Sequence, residues 1–186
     1  MKEYATRNEM LIDLIPVSGN IAEVGVFKGE FSRFILDTLR PKSLHLFDLF
    51  TGRVGSGDQD GNNFSYVDLS VVLKDISSWN DPRVIINKGD SSHELSRLED
   101  NTFDAIYLDG DHSYEGCKKD LDVAIRKIKP GGWIMGHDYQ MNMAKARTFY
   151  NFGVKRAVDE FCKTFNQEIV ARAMDGCVSF AIRVRK

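Results

Sequence analysis

Short apolar runs recur along the chain, each followed by polar residues: Ile21 to Val26, Leu44 to Phe50, Val84 to Asn87, Ala105 to Leu108 and Trp133 to Met135. Several are apolar on both faces, a pattern that suits parallel strands covered by helices better than antiparallel strands with one wet face. Between them apolar residues recur at helical spacing. Phe31, Phe34, Ile35 and Leu39 form one such set, Val67, Leu69, Val72, Leu73 and Ile76 a second, and Leu121, Ala124, Ile125 and Ile128 a third. Thr6 and Glu9 predict a capping box for a first helix carrying Met10, Leu11, Leu14 and Ile15. Pro16, Pro41, Pro82 and Pro130 each stand just ahead of an apolar run, as breakers do before a strand. Strands alternating with helices predict an α/β sheet built by right-handed crossovers. The pattern then changes. A helix from Val154 to Phe165 precedes two strand-like segments, Glu168 to Ala173 and Cys177 to Val184, joined by Asp175-Gly176. Asp-Gly is a strong hairpin turn, so these last strands are expected as antiparallel neighbours at one edge. No repeat or linker-like tract divides the sequence, which predicts one domain over residues 1–186.

Composition narrows the class. The 186 residues hold 25 Lys plus Arg against 27 Asp plus Glu and are 42% hydrophobic. A chain of that length buries enough surface to fold without disulfides or a structural metal. Cys117, Cys162 and Cys177 show no paired spacing, so they read as buried or idle thiols in a reducing compartment. A formal charge of -2 gives no global attraction to phosphate backbones or acidic membranes, and nucleic acid is not the expected partner. Neither a signal-peptide pattern nor a membrane-length apolar run is seen, and the expectation is a cytoplasmic protein away from membranes.

Ligands of open α/β sheets bind beyond the carboxyl ends of the strands, so the residues that follow each run carry the chemistry. After the first run comes Glu23-Val24-Gly25-Val26-Phe27-Lys28-Gly29, a glycine turn at a helix start. Phe27 stands where a dinucleotide fingerprint needs a glycine to seat pyrophosphate. Glu23 would repel phosphate and favour a ligand that bears an ammonium group, and S-adenosylmethionine is such a ligand. Asp48 lies roughly 20 positions beyond Gly25, where an acidic residue accepts ribose hydroxyls in such folds. Asp90 and Ser91 have two readings, as an acceptor for the adenine amino group or as the cap of the next helix. Asp109, Asp111 and His112 follow the fourth run, and His137 and Asp138 follow the fifth. Adjacent parallel strands would bring these onto one rim, where mixed oxygen and nitrogen donors suit a divalent metal. The competing reading makes Asp111 the cap of a helix beginning near Tyr114 and gives His137 or Asp138 to a loop.

These residues together resemble the class I S-adenosylmethionine-dependent methyltransferases. The likeness runs from the ExGxxxG loop of Glu23 to Gly29, through Asp48, Gly89-Asp90-Ser91 and Asp109-Gly110-Asp111-His112, to Gly131-Gly132 and His137-Asp138-Tyr139. DGDHSYE, PGGWIMGHDY, Gly153-Val154 and Ala157-Val158 are similar to the branch of macrocin-type sugar O-methyltransferases and cephalosporin hydroxylase. The resemblance implies a Rossmann-like fold with a mostly parallel seven-stranded sheet in the order 3-2-1-4-5-7-6, strand 7 antiparallel and helices on both faces. It implies that Glu23, Gly25, Phe27 and Gly29 shape the methionine end of the cofactor site, that Asp48 holds the ribose, and that Asp90 and Ser91 border the adenine. Asp109 would border the cofactor and ligate a metal such as magnesium or manganese together with His137 and Asp138. His137 departs from the family's acidic or amide pattern at that place. The general base aligns with Asp111 in the sugar-type enzymes and with His112 in the catechol type, and Asp111 ranks slightly ahead.

The implied reaction moves a methyl group to a hydroxyl of a small molecule, with the metal fixing the nucleophile and lowering its pKa. Residues 51–65 and 140–152 are expected to cover the site. Asp58, Asp60 and Asn62 do not fit a calcium loop, because Gly61 falls at the wrong offset. The short segment before the first strand implies an open site or one completed by a second copy in a homodimer. The alternatives are a metal-independent methyltransferase and a nonenzymatic S-adenosylmethionine-binding subunit.

Overall fold

The computed structural model describes residues 1–56, 65–141 and 153–185. In chain order the elements are β1 (Lys2–Tyr4), α1 (Arg7–Leu14), β2 (Asn20–Val24), α2 (Glu30–Leu39), β3 (Ser43–Asp48), β4 (Arg53–Ser56), β5 (Ser65–Asp68), α3 (Leu69–Ser78), β6 (Val84–Lys88), α4 (Ser91–Ser96), β7 (Phe103–Leu108), α5 (Tyr114–Lys127), β8 (Ile128–Met141), α6 (Val154–Thr164), β9 (Ile169–Asp175) and β10 (Cys177–Arg183). The main sheet runs β1-β9-β10-β8-β7-β2-β3-β6. Its first strand in the Rossmann-like sense is β2, which pairs in parallel with β3 on one side and β7 on the other. Counted from β2, the sheet has the expected order 3-2-1-4-5-7-6, and β10 is antiparallel to both β8 and β9.

Two features depart from expectation. The sheet has eight strands among the described residues, because Lys2–Tyr4 adds an edge strand parallel to β9. Three residues carry no legible alternation, so only tertiary pairing defines this strand. Secondly, the polar stretch expected as a loop contributes a separate antiparallel hairpin, β4 and β5, and Val67 belongs to β5 and not to the helix that follows. Residues 57–64, including Asp58, Asp60 and Asn62, lie outside the described residues, as do residues 142–152 of the second expected cover.

The alternation of side chains along buried strands builds two cores. Ala22, Val24, Ile106 and Leu108 face one side with Leu95, Leu121, Ala124, Val158 and Phe161, which are supplied by α4, α5 and α6. Ile21, Ala105 and Tyr107 face the other side with Met10, Leu11, Ile35, Leu36, Val72 and Ile76, supplied by α1, α2 and α3. Each large apolar side chain so buried contributes roughly 1.5–3 kcal/mol of transfer free energy. The capping box is seen in part, since Thr6 Oγ1 accepts the Glu9 N–H at 3.2 Å. Cys117, Cys162 and Cys177 are free, and burial pushes the Cys117 thiol up to about 12, which leaves it unreactive. Among the described residues no helix is long and apolar enough to cross a membrane.

Candidate active site at the carboxyl ends of the strands

The turn after β2 is held by backbone and carboxylate together. Gly25, Phe27 and Gly29 all take positive φ (84°, 51° and 77°), and for Phe27 that region is uncommon. A Cβ on Gly25 would lie 2.0 Å from the Asp109 carbonyl oxygen, so this glycine is required by contact as well as by conformation. Asp48 closes the turn. Its Oδ2 accepts N–H groups from Val26 (2.8 Å) and Phe27 (3.4 Å), and its Oδ1 accepts that of Phe50 (3.1 Å). Below the turn, Glu23 is 1% exposed, and its Oε2 has no hydrogen-bond partner among the described residues. Burial raises its pKa to about 8, with Ser32 and Arg7 opposing and the charge of Asp109 adding to the rise.

Asp90 is the cap of α4, its Oδ1 accepting the His93 N–H at 2.9 Å. Ser91 turns inward and donates to Oδ1 of buried Asp120 at 2.7 Å. Asp120, on α5, was not singled out in the sequence. Burial lifts it to about 6, the Ser91 bond opposing, and its apolar helical neighbours gave little sign of it.

Asp109, His137 and Asp138 come together at the ends of β7 and β8, each offering one ligand atom within 4.8 Å of the others. Adjacent residues of a regular strand point to opposite faces. His137 and Asp138 share one side because the β8–β10 register shifts between Val178 and Phe180, and Asp138 takes φ 56° in that bulge. His137 Nδ1 then lies 3.3 Å from Asp138 Oδ2 and 3.8 Å from Asp109 Oδ1. His112 Nε2 lies between the same two oxygens, 3.3 Å from Asp109 Oδ1 and 3.2 Å from Asp138 Oδ2. Burial pulls both imidazoles down, and the neighbouring carboxylates outweigh it, leaving each raised. Asp138 moves the other way: burial raises it, and the two histidines carry it below its ordinary value.

Asp111 is placed differently. It is exposed, its Oδ1 accepts the Ser113 N–H at 2.8 Å, and its Cγ lies 2.3 Å from where a Cβ on Gly116 would stand. The cap of α5 itself is Ser113. Sequence reasoning also passed over Arg7, whose Nη1 reaches Asp109 Oδ2 at 3.3 Å. The two oxygens of Asp109 thus face different partners, Oδ1 the histidines and Oδ2 the arginine.

A family model described as a methyltransferase domain matches residues 22–139, and the chain belongs to that family. Comparison with curated proteins finds no match. Among solved structures, the O-methyltransferase NovP superposes with a TM-score of 0.67 at 19% identity, covering 97% of this chain and 80% of its own. The N-methyltransferase NodS from Bradyrhizobium japonicum WM9 gives 0.63 at 15% identity, over 97% and 95% of the two chains. The tRNA methyltransferase TrmK from B. subtilis gives 0.64 at 10% identity, over 98% of this chain and 67% of its own. At these identities the likeness shows the fold alone, and that fold serves oxygen, nitrogen and tRNA acceptors alike.

Proposed function

We propose that the protein transfers a methyl group from S-adenosylmethionine to a hydroxyl of a small molecule, with a divalent metal held by Asp109, His137 and Asp138. The observation that carries the reading is the convergence of these three groups and His112 on one rim, beside the glycine turn and the buried Glu23. Two carboxylates and an imidazole fit magnesium or manganese, the imidazole favouring manganese. An orphaned, buried carboxylate oxygen on Glu23 fits the ammonium of the cofactor's methionine end.

When bound, the cofactor supplies an electrophilic methyl on a sulfonium, and the metal supplies charge that lowers the pKa of an acceptor hydroxyl. The chain's own residues do the rest. His112 takes the hydroxyl proton, and Asp109 and Asp138 stabilise the imidazolium so formed. His112 is favoured over Asp111, because Asp111 is exposed and already engaged by the start of α5. Asp48 holds the Gly25 turn in shape and Asp90 with Ser91 frames the adenine end, so positioning is built before the cofactor arrives.

A metal-independent enzyme is the second reading. It draws on one contact, Arg7 to Asp109, which together with the two imidazoles already balances the carboxylates. Calorimetric titration with S-adenosylmethionine, its demethylated product and NAD, each with and without magnesium or manganese, tests the scheme. We expect the first two to bind and the metal to enhance turnover. Tight NAD binding with no response to the other two would falsify the cofactor assignment, and full activity after exhaustive chelation would select the metal-independent reading.

A further inference from the structure

Arg7 stands outside the stretch matched by the family model, at the start of α1. It lines a cleft of about 320 Å³ between α1 and α2, together with Asn8, Phe31, Phe34 and Asp175. Its place there is fixed from three sides. The Arg7 backbone N–H donates to Asp175 Oδ2 at 3.0 Å, its guanidinium lies over the Phe31 ring at 4.6 Å from the centroid, and Tyr107 acts on it electrostatically. Tyr107 and Glu23 are register partners on β7 and β2. Adjacent partners project to the same face of a sheet, so the guanidinium and the buried carboxylate share one wall under the first turn of α2. Arg7 also acts electrostatically on Glu23.

The link to Asp109 uses only part of this arginine. Strong guanidinium–carboxylate pairs are frequently bidentate, at about 2.7–2.9 Å. Here one nitrogen approaches one oxygen at 3.3 Å, and a guanidinium carries five N–H donors in a fixed fork. A cation with donors to spare, beside a buried carboxylate whose Oε2 has no partner among the described residues, is the complement of an α-amino acid, which carries both charges on one carbon.

We propose that Arg7 binds the carboxylate of the cofactor's methionine end while Glu23 receives its ammonium. The inference rests on the cofactor reading above and adds a residue to it. It makes Asp109 a shared wall, with Oδ2 turned to the cofactor's anchor and Oδ1 to the metal and base. Cofactor seating and the reacting groups are then tied through one carboxylate.

The test compares wild type, Arg7→Ala and Arg7→Lys by calorimetry against S-adenosylmethionine and its decarboxylated form, with no acceptor present. Wild type is expected to prefer the carboxylate-bearing ligand by roughly 10- to 100-fold, the value of a charge-assisted hydrogen bond. Arg7→Ala should lose that preference by weakening the first ligand and leaving the second unchanged, and Arg7→Lys should restore part of it. Comparing two ligands in one variant controls for folding, since partial unfolding weakens both alike. Equal weakening of both, or no change in either, overturns the inference while leaving the cofactor reading standing. A wild type that binds neither ligand removes the cofactor reading and the inference with it.

Discussion

Two halves of the same rim use the same residue type in different ways. On the β2–β3–β6 side, Asp48 and Asp90 point their oxygens at main-chain N–H groups, those of Val26, Phe27, Phe50 and His93. On the β7–β8 side, the oxygens of Asp109 and Asp138 meet Arg7, His112 and His137. A carboxylate that accepts backbone N–H groups fixes a loop and has little left to give. One that faces imidazoles and a guanidinium sets the charge of groups that can move a proton or hold a metal. The first half should therefore report in stability and ligand affinity, and the second in turnover.

The largest effects should fall on the second half. His112→Ala is expected to lower kcat by roughly 10² to 10⁴, the usual contribution of a general base, with little change in cofactor affinity. Asp138→Asn should cost at least as much. Asparagine tolerates the positive φ at this position, so the bulge survives while the charge is lost. Steady-state kinetics beside thermal melts would decide it. A variant that melts early yet turns over normally would erase the distinction between the halves.

Glu23 lies between the halves and sharpens the comparison through pH. Its folded pKa of about 8 lies above the ordinary carboxylate value of 4.5, so between those values the folded state binds the extra proton. The sign follows from linkage: the contribution of Glu23 to stability is fullest below about pH 4.5, falls as pH rises through the window, and is flat above about 8. Glu23→Gln should flatten that slope, making the ligand-free protein more stable at pH 8 than wild type, while weakening S-adenosylmethionine binding by roughly 10-fold for the lost charge-assisted bond. Denaturant melts at pH 5 and pH 8 read the first effect and calorimetry the second. A slope unchanged in the variant would show that Glu23 is ionised in the fold without cost.

What the sequence disclosed follows the same divide. The succession of strands and helices, the late hairpin and both helix layers were legible because alternation and helical spacing register burial directly, as at Ile106 against Tyr107, whereas the order of strands within the sheet came only with the family resemblance. The acidic residues at strand ends were legible as a set, because position after an apolar run is itself the signal. Their partners were not. Whether Asp90 caps a helix depends on the backbone of His93, and whether His137 and Asp138 share a side depends on a bulge with no sequence mark beyond an aspartate that tolerates positive φ. Arg7 was invisible for another reason. It comes from the first helix, 102 positions from Asp109, and only the folding of α1 against β9 brings them together.

The smallest expected effect tests the first half most cleanly. Asp90→Ala removes the side-chain cap of α4, a six-residue helix with only Leu95 fully buried. Loss of such a cap costs about 1 kcal/mol, and Asp90→Ser, which retains an acceptor, should recover most of it. Ser91 is held independently through Asp120, so the frame around the proposed adenine seat should persist. Cofactor affinity then falls only if Asp90 also meets the adenine, and a double comparison separates the two roles. If Asp90→Ala and Asp90→Ser lose affinity in proportion to their loss of stability, the residue is a cap alone. If Asp90→Ser recovers stability and not affinity, the carboxylate itself serves the ligand, and the first half holds at least one acid that shapes and binds together.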